Sequence, residues 1–203
     1  MAYLVLIRHG ESKWNALGKW TGWKDIVLTQ RGRQEARQDA KYLMGIQFQV
    51  AFVSHLRRAK ETLHEILDKL EEEKIPIVES EALNERNYGD YTGKNKWQLR
   101  NLWGLKKFLL VRRSWDYDLP HGESLKDVYH RAIPYYQEQI EPHLKKGENV
   151  LIVAHGNSLR ALVKHLEHIT VEDIPHLEMQ TGEVYLYEIN KEGNIVSKQI
   201  KGG

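Results

Sequence analysis

The chain of 203 residues contains no cysteine, which excludes disulfides, thiolate metal sites and cysteine nucleophiles. It also lacks any apolar run that approaches the roughly 18–20 residues needed to span a bilayer. The first apolar segment begins close to Met1, which leaves no room for a charged and then apolar signal segment. Together these absences predict a cytoplasmic protein.

Acidic residues are missing from one segment in particular. Residues 94–113 hold seven cations and no Asp or Glu, whereas the formal net charge of the whole chain is only +2. So small a total argues against a broad nucleic-acid-binding surface. A local cationic segment on a nearly neutral protein predicts a small, highly charged anionic ligand. The seven cations are Lys94, Lys96, Arg100, Lys106, Lys107, Arg112 and Arg113.

Short apolar runs alternate with amphipathic segments along the chain. This order predicts one α/β domain over residues 1–203, with a mostly parallel central sheet flanked by helices and an antiparallel edge at the C-terminus. Residues 83–122 show no clean period apart from a short helix between Asn95 and Arg112, and we expect the basic part, 94–122, to form a lid. The predicted strands are Tyr3–Ile7, Val50–Val53, Ile75–Glu79, Val150–Ala154, Val184–Ile189 and Ile195–Ile200. The predicted helices run from Thr29 to Met44, from Leu56 to Leu70, from Ser124 across a kink at Pro134, and from Ser158 to Glu167.

Two of the predicted strands end in the same way. Val5-Leu6-Ile7-Arg8-His9-Gly10-Glu11-Ser12 is echoed by Leu151-Ile152-Val153-Ala154-His155-Gly156-Asn157-Ser158. In an open α/β sheet, side chains just past the carboxyl ends of neighbouring strands converge on one crevice. The echo therefore predicts an enzyme built around a pair of histidines.

The first motif suits phosphoryl transfer. An imidazole such as His9 attacks phosphorus directly, provided that one ring nitrogen is free and the other holds its proton against an acceptor. Arg8 fits the phosphoryl oxygens with two parallel hydrogen bonds, and Gly10 is expected to let the backbone approach the ligand. The alternative is a strand end whose His and Arg serve only the structure.

The second motif lies where a strand becomes a helix. Backbone N–H groups at such a helix start are expected to point at the crevice. A protonated His155 would stabilise charge on the transferring phosphoryl group. Taken alone, the motif is equally compatible with a structural strand-to-helix turn.

These residues carry a family resemblance. The stretches Leu6–Ser12, Trp14-Asn15, Thr21-Gly22-Trp23, Leu83–Gly89 and Ala154–Leu162 resemble the histidine phosphatase superfamily, and within it the cofactor-dependent (2,3-bisphosphoglycerate-dependent) phosphoglycerate mutases. The resemblance implies the mutase-like fold and the interconversion of 3-phosphoglycerate and 2-phosphoglycerate in glycolysis and gluconeogenesis. It also implies a phosphohistidine intermediate primed by 2,3-bisphosphoglycerate, with no metal.

The resemblance also implies a role for each matching residue. His9 matches the nucleophile, Arg8, Arg58 and His155 match groups around the phosphoryl group, and Glu85 matches the general acid and base. The alternative for Glu85 is an ion pair with Arg86. The predicted substrate-binding residues are Ser12, Asn15, Thr21, Gly22, Tyr88, Lys96, Arg112, Arg113, Gly156 and Asn157.

One departure from the family pattern leaves alternatives open. Only Ser114–His121 separates the paired arginines from Gly122, where larger mutases have a longer insert, so the pocket is expected to be more open to water. A phosphomonoesterase that uses His9 in the same way is the main alternative, because Pro120–Ser124 resembles the phosphatase branch. A nucleic-acid-binding module using residues 94–113 is a weaker one. A monomer and a dimer both remain possible.

Overall fold

Six short strands form the sheet at the centre of the computed structural model, which describes residues 1–203. The strands are β1 (Ala2–Arg8), β2 (Val50–Ser54), β3 (Ile77–Ser80), β4 (Val150–Ala154), β5 (Glu183–Ile189) and β6 (Ile195–Gly202). Their order is β3-β2-β4-β1-β5-β6. The first four in that order are parallel, β5 pairs antiparallel with β1, and β6 pairs antiparallel with β5. The predicted fold class is confirmed.

Seven α-helices connect and cover the strands. The Thr29 hydroxyl caps the second by accepting a hydrogen bond from the Gly32 amide at 3.0 Å, as expected for an N-cap. Pro134, where a kink was predicted, lies inside α5 and removes one helical N–H donor, and a π-helical turn over Tyr136–Ile140 follows it. The helices are α1 (Lys13–Ala16), α2 (Gln30–Lys41), α3 (Arg57–Leu70), α4 (Lys96–Arg113), α5 (Leu125–Tyr135), α6 (Glu141–Lys145) and α7 (Gly156–Leu166). None is long and apolar enough to cross a membrane.

Alternate residues of β1 pack into two separate apolar layers. Leu4 and Leu6 belong to the layer that includes Leu162 of α7. Val5 and Ile7 belong to the layer that includes Leu63 of α3. Successive strand residues point to opposite faces, so a strand covered on both faces is apolar throughout. Because both faces are buried, the positions of β1 and β4 are fixed. The residues that follow their carboxyl ends are held in place as a consequence.

A third, smaller apolar cluster lies under α4. Trp20 is 1% exposed and stacks on Tyr88 and Trp103, with ring centroids 5.6 Å and 5.9 Å apart. Phe108 and Val111 complete the attachment of the helix. The short helix expected here has 18 residues and is broken at Gly104, whose φ of 77° and ψ of 164° are not helical. The cluster therefore packs the bent α4 against the rest of the domain.

Candidate active site

A polar pocket of about 630 Å³, including its open mouth, lies at the carboxyl ends of β1 and β4. Twelve of the fifteen predicted site residues line it, although they come from six separate parts of the chain. Ser12, Gly22 and His155 do not reach its surface. The twelve are Arg8, His9, Asn15, Thr21, Arg58, Glu85, Tyr88, Lys96, Arg112, Arg113, Gly156 and Asn157.

The two histidines lie side by side, with His9 lining the pocket and His155 buried next to it. Arg8 pairs with Ala154 in the parallel register of β1 and β4. The next residues, His9 and His155, are therefore neighbours, and their imidazole centroids are 4.8 Å apart. Burial lowers the pKa of both His9 and His155 well below the ordinary value, and the charge of Arg58 lowers it further. Both rings are therefore neutral. The predicted pairing of the two histidines is confirmed, and protonation of His155 beside a transferring phosphoryl group stays a prediction.

His9 has the hydrogen bonds that a nucleophilic imidazole requires. Its Nδ1–H donates to the Gly10 carbonyl oxygen at 2.7 Å, which leaves the lone pair on Nε2. The Arg58 Nε–H donates to that Nε2 at 3.2 Å. Because the second ring nitrogen is held by a backbone acceptor, the tautomer is fixed before any ligand arrives.

His155 is held in the opposite tautomer. Its Nε2 lies 2.8 Å from the Ser54 hydroxyl oxygen, and that hydroxyl donates to Asn84 Oδ1 at 2.8 Å. The proton between Ser54 and His155 therefore belongs to Nε2. The buried Nδ1 has no partner, which is costly for a buried polar atom. An anion beside it would favour a second proton on the ring and receive a hydrogen bond from it.

Arg58 is the fully buried cation of the site. Its guanidinium donates to the carbonyl oxygens of Gly22 at 2.9 Å and Lys24 at 3.0 Å. Burial lowers the pKa of Arg58 to about 10, so it stays cationic at neutral pH. Arg57 instead pairs with Glu61 at the surface, at 2.7 Å. Of these two neighbouring arginines, Arg58 is the one that lines the pocket, as predicted, and the Gly22 carbonyl oxygen helps to hold its guanidinium.

Two other predicted residues also act behind the pocket surface. The Ser12 hydroxyl donates to Asn15 Oδ1 at 2.8 Å, so Ser12 positions Asn15. Gly10 approaches another helix, not a ligand, because a Cβ at this position would collide with the Gly32 carbonyl oxygen in α2. The role expected for Gly10 is corrected to packing. A Cβ at Gly32 would in turn collide with the Glu11 carbonyl oxygen, which explains why α2 contains a glycine in its first turn.

Glu85 has one occupied and one available carboxylate oxygen. Oε1 accepts from the Arg86 amide at 2.8 Å and from the Asn157 amide and side chain at 3.2 Å and 3.0 Å. Oε2 has no partner within the chain, and Glu85 lines the pocket. The Arg86 guanidinium donates to the Val111 carbonyl oxygen, so the alternative ion pair is not formed. The N-terminal amide of α7 at Asn157 thus binds Glu85 and does not point free into the crevice.

The far side of the pocket is cationic because α4 is bent. An unbroken helix would separate Lys96 from Arg112 by about 24 Å, yet both line this pocket. The break at Gly104 turns the chain back. Burial, with help from Arg112 and Arg8, lowers the pKa of Lys96 to about 8. Three of the seven cations in residues 94–113 thus serve the pocket, which weakens the nucleic-acid alternative.

Sequence reasoning missed four residues that line the pocket: Trp20, Arg160, Glu178 and Met179. Arg160 donates to Asn157 Oδ1 at 3.0 Å and to the Arg113 carbonyl oxygen at 2.9 Å, so it joins the two sides of the site. Its place one turn into α7, after the second His-Gly pair, was the available signal. Glu178 forms ion pairs with both Arg112 and Arg113, and no spacing in the sequence indicates it.

The fold and the pocket together define an α/β enzyme with a buried histidine pair beside a strongly cationic pocket. The model of the histidine phosphatase superfamily (branch 1) matches residues 4–200, and the chain belongs to this superfamily. A phosphoglycerate mutase of Schizosaccharomyces pombe is 47% identical, over 97% of this chain and 94% of its own. A 2,3-bisphosphoglycerate-dependent phosphoglycerate mutase of Cytophaga hutchinsonii is 50% identical, over 94% and 89%.

Solved structures agree on the fold. YhfR of Bacillus stearothermophilus superposes with a TM-score of 0.83 at 30% identity, over 96% of this chain and 94% of its own. A mycobacterial glucosyl-3-phosphoglycerate phosphatase in complex with VO3 superposes with a TM-score of 0.81 at 26% identity, over 100% and 98%. The superfamily therefore includes hydrolases with this architecture as well as mutases.

Proposed function

We propose that this protein is a 2,3-bisphosphoglycerate-dependent phosphoglycerate mutase that interconverts 3-phosphoglycerate and 2-phosphoglycerate in cytoplasmic glycolysis and gluconeogenesis. The observation that carries the proposal is a pocket with two cationic ends. Arg8 and Arg58 surround the histidine pair at one end, which we call the proximal end. Lys96, Arg112 and Arg113 form the other, which we call the distal end. Such a pocket suits a substrate with a phosphoryl group and a second anionic group, and the names of the curated relatives support this choice.

At the proximal end, His9 acts as the nucleophile. Its Nε2 attacks phosphorus while the bond from phosphorus to the leaving oxygen breaks, and the Gly10 carbonyl keeps the proton on Nδ1. Bound 2,3-bisphosphoglycerate supplies the phosphoryl group that primes this histidine. Arg8 and Arg58 neutralise the transferring oxygens, and His155 donates from Nδ1 once it is protonated.

Glu85 moves the proton of the reacting hydroxyl. Its available Oε2 gives a proton to the leaving oxygen as the phosphohistidine forms. In the reverse direction it takes the proton from the hydroxyl that attacks the phosphohistidine. The three hydrogen bonds to Oε1 hold the carboxyl group in place through both steps, which is the positioning that general acid–base catalysis needs.

The distal end selects the substrate. The carboxylate or second phosphate is bound by Lys96, Arg112 and Arg113. Tyr88 also lines the pocket, and its hydroxyl accepts a hydrogen bond from the Asn157 side-chain amide at 3.0 Å. We propose that residues 94–122 act as a lid, because they carry these cations and form one wall of the pocket. A hydrolase of simple phosphomonoesters needs no second anion site, so the distal cations favour the mutase over that candidate. A phosphomonoesterase nevertheless remains the second candidate, since the pocket has an open mouth through which water could reach the phosphohistidine.

One reaction tests the proposal. Protein treated with a chelator is given 3-phosphoglycerate with and without a trace of 2,3-bisphosphoglycerate, and both 2-phosphoglycerate and free phosphate are measured. A mutase forms 2-phosphoglycerate, is strongly stimulated by the bisphosphate and releases little phosphate. Predominant release of phosphate would assign the protein to the hydrolases.

A further inference from the structure

One carboxylate occupies the distal end of the pocket. Glu178 Oε1 lies 2.9 Å from Nη2 of Arg112, and Oε2 accepts a hydrogen bond from Nη2 of Arg113. Partial burial alone would raise the pKa of Glu178, but the hydrogen bond from Arg113 and the charges of both arginines outweigh it and lower the pKa. Glu178 is therefore ionised at neutral pH and neutralises part of the arginine pair.

The backbone around Glu178 is anchored independently of this side chain. The Met179 carbonyl oxygen accepts from Arg8 Nη1 at 3.0 Å. The Glu178 carbonyl oxygen accepts from the Tyr185 hydroxyl at 3.4 Å. The Glu178 side chain itself is 38% exposed, so it has room to rotate into solvent. The carboxylate can thus leave the arginines without moving the segment that carries it.

A substrate carboxylate would need the same donors. Two carboxylates on one pair of guanidinium groups repel each other, and the proposed substrate brings its carboxylate to this end of the pocket. Six cations but only two carboxylates, Glu85 and Glu178, line the pocket. Glu178 is the one that the proposed chemistry does not use.

We propose that Glu178 is a specificity-determining residue: it occupies the distal anion site of the empty enzyme, and the carboxylate of the substrate must displace it. The inference rests on the proposed function only for the identity of the substrate. Glu178 lowers the affinity for ligands that carry the second anion and leaves ligands without it unaffected.

The test compares two ligands that differ only at the distal group. Binding of 3-phosphoglycerate and of glycerol 3-phosphate, in which a hydroxymethyl group replaces the carboxylate, is measured by calorimetry for the wild type and Glu178→Gln. We expect the variant to bind 3-phosphoglycerate about threefold to tenfold more tightly, as for removal of a competing charge-assisted hydrogen bond. The affinity for glycerol 3-phosphate should stay within about twofold. Glu141→Gln, which removes a carboxylate paired with Lys145 outside the pocket, is the matched control and should change neither affinity.

Two results would overturn the inference. Weaker or unchanged binding of 3-phosphoglycerate by Glu178→Gln would show that the carboxylate only positions the arginines. Equal tightening of both ligands would show a general charge effect. Selective tightening in a protein that releases phosphate instead of forming 2-phosphoglycerate would support the role of Glu178 while refuting the proposed mutase reaction, so the two failures are distinguishable.

Discussion

The two ends of the pocket are built in different ways. At the proximal end, His9, His155 and Arg58 are 2%, 0% and 0% exposed. The histidines follow strands that are covered on both faces, and Arg58 lies in the first turn of α3. At the distal end, the side chains of Arg112 and Arg113 are 35% and 16% exposed and belong to a helix that is broken in the middle.

This contrast separates the residues that carry out phosphoryl transfer from the residues that select the substrate. The reacting groups are held by the core of the sheet, where side chains have few alternative positions. The distal cations sit on α4, whose outer side exposes Leu102, Leu105 and Leu109 by 77%, 53% and 43%. Elements with few buried contacts open at the lowest free energy. We therefore expect proximal substitutions to change kcat and distal ones to change KM or the fate of the phosphoryl group.

The largest effect is expected at the nucleophile. His9→Ala should lower both mutase turnover and phosphate release by about 10⁴-fold or more, because both routes use the same phosphohistidine. Steady-state assays of both products measure this. His64→Ala, an exposed histidine of α3, is the control and should keep full activity. Appreciable turnover in His9→Ala would refute the covalent mechanism.

Glu85→Gln should separate proton transfer from binding. We expect kcat for the mutase reaction to fall by about 10²- to 10⁴-fold with little change in KM, since the amide cannot exchange a proton with the substrate. An aryl phosphate, whose leaving group needs no proton, should still phosphorylate His9 at nearly the wild-type rate. Exposed Glu81→Gln serves as the control. A large rise in KM for Glu85→Gln would instead place this residue among the binding groups.

The lowered pKa of Lys96 predicts that kcat/KM depends on pH. Because its pKa is lowered to about 8, the free enzyme loses a distal charge as the pH rises through that value. The ratio kcat/KM should therefore fall on the alkaline side of about pH 8. Lys96→Gln should be about tenfold lower below that pH and lack this alkaline limb. Exposed Lys94→Gln should retain it, and persistence of the limb in Lys96→Gln would assign it to another group.

The smallest effect is expected at the bend of α4. Gly104 adopts φ 77° and ψ 164°, and the space that a Cβ would occupy is open, so Gly104→Ala strains only the backbone. It should lower the free energy of unfolding by about 1–3 kcal/mol and raise KM a few-fold. Gly45→Ala, also at positive φ in open space, should destabilise the protein without changing KM. Equal KM effects would show that the bend does not shape the pocket.

Most of the proximal end was predictable, because strand ends and His-Gly pairs are local signals. The apolar runs located β1 and β4, and their parallel order brought His9 and His155 together. The distal end depends on contacts between distant segments, and here sequence reasoning was weaker. It identified Lys96, Arg112 and Arg113 through charge and resemblance, but not the bend that lets them meet. Gly104 inside a helical pattern was the missed signal.

Glu178 shows a second limit of sequence reasoning. Its partners lie 65 and 66 residues away, and no motif surrounds it. Similarly, the position of Gly10 beside the nucleophile suggests a glycine that faces the ligand, whereas its real neighbour is the backbone of α2. In both cases the decisive contact is tertiary, so neither local pattern nor composition could reveal it.

The division between chemistry and selection is tested most directly by the fate of the phosphoryl group in Arg113→Gln. With 3-phosphoglycerate and a trace of 2,3-bisphosphoglycerate, 2-phosphoglycerate and free phosphate are measured in the same reaction. The wild type should form almost only 2-phosphoglycerate. The variant should still phosphorylate His9 but divert a much larger share of turnover to phosphate, because the distal group is no longer held while water competes. A proportional loss of phosphohistidine, phosphate and 2-phosphoglycerate would contradict the division, since it would show that the distal arginine is needed for the chemical step itself.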